Sequence, residues 1–129
     1  INQANNLNLN KKFDIVLSHS CFQYFGNFDY FNNVINQISK IVKIGGYIAI
    51  TDVFNEEQKD KYIMYRKNAI GVEEYNKKYK DLKHFYITKS KFKETLEKYD
   101  FKDITFVDTG YDDNTNLSES FRFNVYFKK

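Results

Sequence analysis

The strongest constraint on this chain is a short apolar run, a one-faced helical stripe and a second apolar run in close succession. Phe13 to Ser18 reads FDIVLS, with Ile15, Val16 and Leu17 consecutive. A run without alternation suits a strand buried on both faces of a parallel sheet. Phe31, Val34, Ile35, Ile38, Ile41 and Val42 then fall at offsets of 0, 3, 4, 7, 10 and 11 residues, one stripe of an α-helix. With Asn27 as N-cap and Gly45 at the C-terminal stop, a helix is expected from Phe28 to Lys43. Tyr47 to Val53, YIAITDV, reads as a second buried strand. Two parallel strands joined by a helix make a right-handed βαβ crossover, so the expected fold class is α/β.

The rest of the chain adds to this unit without dividing it. Ile1 to Lys12 is polar, Asn-rich and aperiodic, a loop. Asn55 with Gln58 three residues on resembles a capping box opening a helix to Asn68, and Gly71 interrupts it. Val72 to Lys80 reads as a short helix, and Thr88 caps another that carries Phe92, Leu96 and Tyr99 on one face. Lys102 to Asp108 is read as a strand. Phe121, Phe123, Val125 and Phe127 alternate with Arg122, Asn124 and Tyr126, the period of a half-buried strand. The intervening GYDDNTNLSES suits the connection of a terminal antiparallel hairpin at a sheet edge. The whole reads as one partial domain: a loop over 1–12, the βαβ unit over 13–53, a helical insertion or lid over 54–87, and a helix and hairpin over 88–129.

Composition narrows the function classes. At 129 residues the chain is one domain or a piece of one, and its 42% hydrophobic and 19% aromatic content is enough for a core. The net charge of +3 is spread along the chain, with no basic stripe for nucleic acid. No apolar run reaches the length of a membrane span, and the opening INQANNLNLNKK has no signal core. The single cysteine, Cys21, excludes an internal disulfide and fits a reducing cytoplasm; with two histidines it leaves no zinc spacing. All but two of the 20 basic residues are lysines, the exceptions being Arg66 and Arg122. The first residue is Ile rather than Met, which is consistent with part of a longer polypeptide.

In an open parallel sheet, ligands bind beyond the carboxyl ends of the strands. That rim would hold Ser18, His19, Ser20 and Cys21 from the first strand, and Thr51, Asp52 and Val53 from the second.

The order of these pieces resembles the carboxy-terminal half of a class I S-adenosylmethionine-dependent methyltransferase, in its Rossmann-like fold. The matching residues are FDIVLSHSCFQYF (Phe13 to Phe25), the stripe helix ending in Lys43-Ile44-Gly45-Gly46, the strand GYIAITD, LKHFYIT (Leu82 to Thr88) before the late helix, and RFNV (Arg122 to Val125). The family usually has Pro where Ile44 stands. The likeness is closest to small-molecule methyltransferases. It implies S-adenosylmethionine as cofactor and methyl transfer to oxygen or nitrogen of a small acceptor, to which the composition adds a cytoplasmic setting and no nucleic-acid or membrane partner.

The same resemblance implies that the cofactor-binding half of the sheet lies outside this sequence. The family's Gly-rich turn and following acidic residue have no counterpart, since the five glycines show no G-x-G spacing. Such a piece would bind the cofactor poorly alone. Gln3 and Ala4 stand where the family places an adenine-contacting loop, and a Gln carbonyl can accept from the adenine amino group; the plain alternative is a frayed chain end. Ser18 and His19 are further candidates for the cofactor.

For the chemistry, His84 and His19 are the only imidazoles able to take an acceptor proton, with His84 slightly preferred because it lies in the resembling segment beside Phe85 and Tyr86. The alternative for each is a packed or surface histidine. Tyr24, Asp52, Tyr86, Arg122 and Asn124 are candidate substrate contacts. Against these stand core packing for the aromatics Phe22, Tyr24 and Phe25, a cap or turn role for Asp52, and a solvated sheet face for Arg122 and Asn124. Cys21 reads as packing rather than as a nucleophile paired with His19, because neighbouring strand residues point to opposite faces. The tyrosines from Tyr62 to Tyr86, among them Tyr65, Tyr75 and Tyr79, form a candidate specificity region. A different reading is a non-catalytic α/β interaction module. In both, an uncovered first-strand edge invites pairing with a second copy.

Overall fold

A computed structural model describes residues 4–7, 9–109 and 121–129. The elements run β1 (Phe13–His19), α1 (Phe28–Ile41), β2 (Val42–Phe54), α2 (Lys59–Ile70), α3 (Val72–Tyr79), α4 (Lys89–Lys98), β3 (Lys102–Thr109) and β4 (Arg122–Lys128). The sheet order is β1-β2-β4-β3, with β1 parallel to β2 and the other pairs antiparallel. This is the expected α/β class with its βαβ unit and closing antiparallel pair. The residues proposed to turn the hairpin, 110–120, lie outside the described set.

One face of the sheet is closed by the helical stripe. Phe31, Val34, Ile35 and Ile38 of α1 and Phe92 and Leu96 of α4 pack with Ile48 and Ile50 of β2 and Phe123, Val125 and Phe127 of β4. Asn27 caps α1 as expected, its side chain accepting from the Tyr30 amide. The helix ends earlier than its apolar period suggests. Val42 is already extended and pairs with Phe13, so the sheet takes it from the helix, and Gly45 lies inside β2 rather than at a helix stop. Gly46 has no room for a side chain: a Cβ there would lie 2.8 Å from Val42 Cγ2, 2.9 Å from the Lys43 carbonyl and 3.0 Å from the Asp14 carbonyl of β1. At Gly71 the backbone turns to φ 85°, which separates α2 from α3 at little cost for glycine.

Two local expectations are corrected. Asn55 caps a short 3-10 turn by accepting from the Glu57 amide, while its own amide donates to the Phe121 carbonyl. The reciprocal half of a capping box is therefore not made. Strand β1 is not buried on both faces: Ile15 and Leu17 are each 70% exposed, and among the described residues β1 pairs with β2 alone. Together with Tyr47, Ala49 and Tyr126 they leave the second sheet face apolar and open, with a shallow groove of about 200 Å³. None of the described helices is long and apolar enough to cross a membrane.

Phe92 is fully buried, with ring contacts to Phe22, Phe31, Phe106 and Phe123, so it joins α1, α4 and β4. Replacing it by Ala is expected to destabilise the fold by about 3–5 kcal/mol, read from urea unfolding; a loss below about 1 kcal/mol would mean the core is organised otherwise.

Candidate functional site

Strand direction decides which side chains meet. Because β1 and β2 are parallel, their carboxyl ends, His19-Ser20 and Thr51-Asp52, lie at the same rim. The antiparallel β4 brings its amino end there, Arg122 and Asn124, and β3 brings Thr109. These seven residues line a cavity of about 640 Å³.

The decisive local feature is a bulge in β2. Ile50 pairs with Val125 and Val53 with Phe123, so Thr51 and Asp52 together oppose the single residue Asn124. Asp52 takes φ 66°, and its amide donates to Asn124 Oδ1 at 2.9 Å. A bulge re-aims a side chain at a strand end, and a left-handed non-glycine residue persists only where its surroundings hold it. Here the holding groups are visible. The Ser20 hydroxyl, on a second left-handed residue with φ 53°, donates to Asp52 Oδ2 at 2.5 Å, and Arg122 Nη1 donates to Oδ1.

Arg122 is fixed from the other side by aromatic rings. Its guanidinium lies 4.4 Å from the Phe54 ring centre and 5.8 Å from that of Tyr62, with Nη2 3.5 Å from the Tyr62 hydroxyl. The side chains of Arg122 and Asp52 are only 17% and 19% exposed. Burial pushes the Asp52 carboxyl up, but the hydrogen bonds from Ser20 and Arg122 and the Arg122 charge outweigh it and hold the group below its usual range. Burial also works against the Arg122 charge, which the hydrogen bonds to Asp52 and Tyr62 more than restore. Both groups are ionised at neutral pH.

The two histidines occupy different places. His19 lines the cavity, with Nδ1 2.8 Å from Thr51 Oγ1 and Nε2 3.2 Å from Ser20 Oγ. His84 is not among the described residues lining it. Its ring lies 4.9 Å from Phe54 and 6.0 Å from both Tyr24 and Tyr79. Burial, then the charges of Arg122 and Arg66, push His84 below 6.5, so its imidazole is neutral at pH 7.

Of the other expected site residues, Asp52, Arg122 and Asn124 are brought together in the cavity. Tyr24 is exposed beside His84. Tyr86 stacks on Phe54, and burial, with Tyr62 and Tyr75 nearby, pushes its phenol up to about 12, so it stays protonated. The Ser18 carbonyl accepts from Thr51 Oγ1 at 3.4 Å. Ala4 packs against the main core, whereas Gln3 lies outside the described residues. Cys21 is exposed, with its thiol toward the His19 carbonyl, so the packed role expected for it is not seen. Phe22 and Phe25 are core.

Sequence reasoning placed Ser20 and Thr51 at the rim without giving them a role, left out Thr109, and gave no role to Arg66, which donates to the Tyr79 hydroxyl. The arginine scarcity was a usable signal: both arginines of a lysine-rich chain reach this tyrosine-rich region. Among the described residues no cluster of acids, His and Cys is built to hold a metal.

No protein-family model matches the sequence, and no curated protein matches it. Solved structures do. One is an S-adenosylmethionine-dependent methyltransferase from Thermotoga maritima, described as a possible histamine N-methyltransferase, with 16% identity, a TM-score of 0.67, and 99% of this chain over 61% of that one. A second, described as a possible exported protein from Bordetella parapertussis, has 14% identity and a TM-score of 0.69 over 99% and 42% of the two chains. A third, an S-adenosylmethionine-dependent methyltransferase from Methanosarcina mazei, has 14% identity and a TM-score of 0.64 over 99% and 65%. At such identities the likeness defines the fold alone: this chain has the Rossmann-like α/β fold found in S-adenosylmethionine-dependent methyltransferases. It spans less than two thirds of the length of each of these three.

The pH dependence follows from His84 and Asp52, whose folded pKa values both lie below their unfolded ones. Stability is full above the unfolded values, 6.5 and 3.8, and is lost as pH falls through the folded ones. Urea unfolding from pH 7.5 to 5 should show a loss in the natural sequence that is smaller in His84→Gln; equal losses would mean His84 does not titrate as described.

Proposed function

We propose that this chain is the acceptor side of an S-adenosylmethionine-dependent methyltransferase that acts on a small molecule at oxygen or nitrogen. The observation that carries the reading is the rim cavity, a preorganised polar site at the strand ends where a sheet of this fold offers a ligand site. The printed descriptions of the two similar methyltransferases support the reaction class, and the single cysteine supports a cytoplasmic setting.

The fit to the cofactor is partial. His19 and the Ser18 carbonyl sit at the tip of β1, yet the sequence holds no glycine-rich turn to grip the group. In this reading the grip comes from polypeptide beyond this sequence, packed on the open face around Ile15, Leu17, Tyr47 and Tyr126. Their exposure, and the unmatched length of the similar structures, support that arrangement.

The cofactor supplies an electrophilic methyl group on sulfur. This chain's task is to position the acceptor and remove its proton. Alignment of the reacting atoms supplies much of such a reaction's barrier lowering. Asp52, held by Ser20 and Arg122, orients the acceptor. With Nε2 donating to Ser20 Oγ, whose own proton goes to Asp52, His19 would take the acceptor's proton on Nδ1, the nitrogen beside Thr51 Oγ1. His84 packs neutral against Phe54, the ring that also lies under Arg122, and the Tyr62–Tyr86 region borders the site.

A second reading has its own observation. Among the described residues β1 pairs with β2 alone, and its open edge is a surface for pairing two copies of a non-catalytic module. Product binding separates the two. In protein expressed from the complete reading frame, S-adenosylhomocysteine at about 100 times its Kd should stabilise folding by about 2.7 kcal/mol; no thermal shift at saturation, with a dimer by light scattering, would favour the module. Within the enzyme reading, His19→Ala should lower turnover by about 10²–10⁴-fold with S-adenosylhomocysteine affinity nearly unchanged. Unchanged turnover would remove His19 as the base.

A further inference from the structure

The lining of the rim cavity says more about its ligand than the reaction class does. Every described residue that lines it is polar: His19, Ser20, Thr51, Asp52, Thr109, Arg122 and Asn124. Small-molecule pockets of several hundred Å³ are usually lined mainly by apolar and aromatic side chains with a few polar groups. Here no lining residue among those described is of apolar type, and polar atoms make up about as much of the lining as apolar ones. The aromatic residues of the region, Phe54, Tyr62 and Tyr86, pack on one another and under Arg122 instead. A flat apolar acceptor would strip water from these polar groups without replacing its hydrogen bonds, at a cost for each.

The charges narrow the class further. The two permanent charges on the described lining are opposite and in contact, Asp52 with Arg122. Each also has holding groups besides the other. Asp52 is held on its bulge by Ser20 and by its amide bond to Asn124, and Arg122 is held over Phe54 and Tyr62. A ligand that carries one charge matches one member of the pair and repels the other in a poorly hydrated place. A ligand with both charges a few atoms apart matches both, and each buried charge keeps a counter-charge throughout.

We propose that the cavity binds a small zwitterion of the amino-acid class, its ammonium group against Asp52 and its carboxylate against Arg122, with Thr109 and Asn124 beside them. This rests on the methyltransferase reading for the identification of the cavity as the acceptor site. It adds the acceptor's chemical class and makes Asp52 and Arg122 the residues that set specificity.

The test uses protein from the complete reading frame and calorimetric titration with serine, serine methyl ester, N-acetylserine and catechol, with and without S-adenosylhomocysteine. The ester keeps only the positive charge and the N-acetyl compound only the negative. Serine is expected to bind at least about tenfold more tightly than any of the other three, a step of about 1.4 kcal/mol. In Asp52→Asn the preference for serine over N-acetylserine should collapse while that over the ester survives, and Arg122→Gln should do the reverse. Equal binding of serine and either singly charged analogue, tighter binding of catechol, or no binding of serine overturns the proposal. The probe series on the natural sequence decides this even if a variant fails to fold. The two readings fail separately: S-adenosylhomocysteine binding without a zwitterion preference removes this inference alone, whereas absence of S-adenosylhomocysteine binding removes the methyltransferase reading.

Discussion

The arrangement of this protein depends on β2 standing at the centre of the sheet, with parallel β1 on one side and antiparallel β4 on the other. A parallel neighbour brings a carboxyl end to the rim and an antiparallel neighbour brings an amino end. Only this combination lets His19 and Ser20 meet Arg122 and Asn124 across Asp52. The bulge after Ile50 then turns Asp52 toward both, and the Arg122–Asp52 contact ties β4 to β2 at the one place where their ladder is interrupted. The energetic weight of the fold lies below this rim, where the α1 stripe and Phe92 cover one sheet face. The chemical weight lies in the few polar groups that this packing holds still.

Much of the scaffold was legible because periodicity is a local property. The offsets of Phe31, Val34, Ile35, Ile38 and Ile41 describe a buried helix face wherever the helix docks, and the alternation from Phe121 to Phe127 describes one covered strand face. Asn27 and Thr88 acted as the caps their positions suggested. What failed was the environment. The apolar run Ile15-Val16-Leu17 does anticipate burial on two faces, but only Val16 packs on the core described here, and no local pattern reports what lies beyond a sheet edge. The end of α1 was misjudged for a similar reason, since Val42 satisfies the helical stripe and the pairing with Phe13 equally well.

The site was legible in part. Asp52, Arg122 and Asn124 were singled out by their positions after one strand and within another, and the sheet brings them together. Ser20 was placed at the rim by position, but its hold on Asp52 and the bulge were not foreseeable, because a left-handed serine and aspartate leave no mark in residue type. The histidines show the limit most clearly. Sequence order favours His84 for its neighbours Phe85 and Tyr86, yet its ring contacts come from Phe54, Tyr24 and Tyr79 and it is not among the described residues lining the cavity, while His19 opens on the cavity.

The central claim is that Asp52 and Arg122 act as one preorganised unit at the rim and not as two independent surface charges. A double-mutant cycle measures this directly, using urea unfolding of the natural sequence, Asp52→Asn, Arg122→Gln and the double variant. The account predicts a coupling of about 1 kcal/mol or more, within the range of about 0.5–3 kcal/mol found for contacting residues. Additive effects, with coupling indistinguishable from zero, would contradict it.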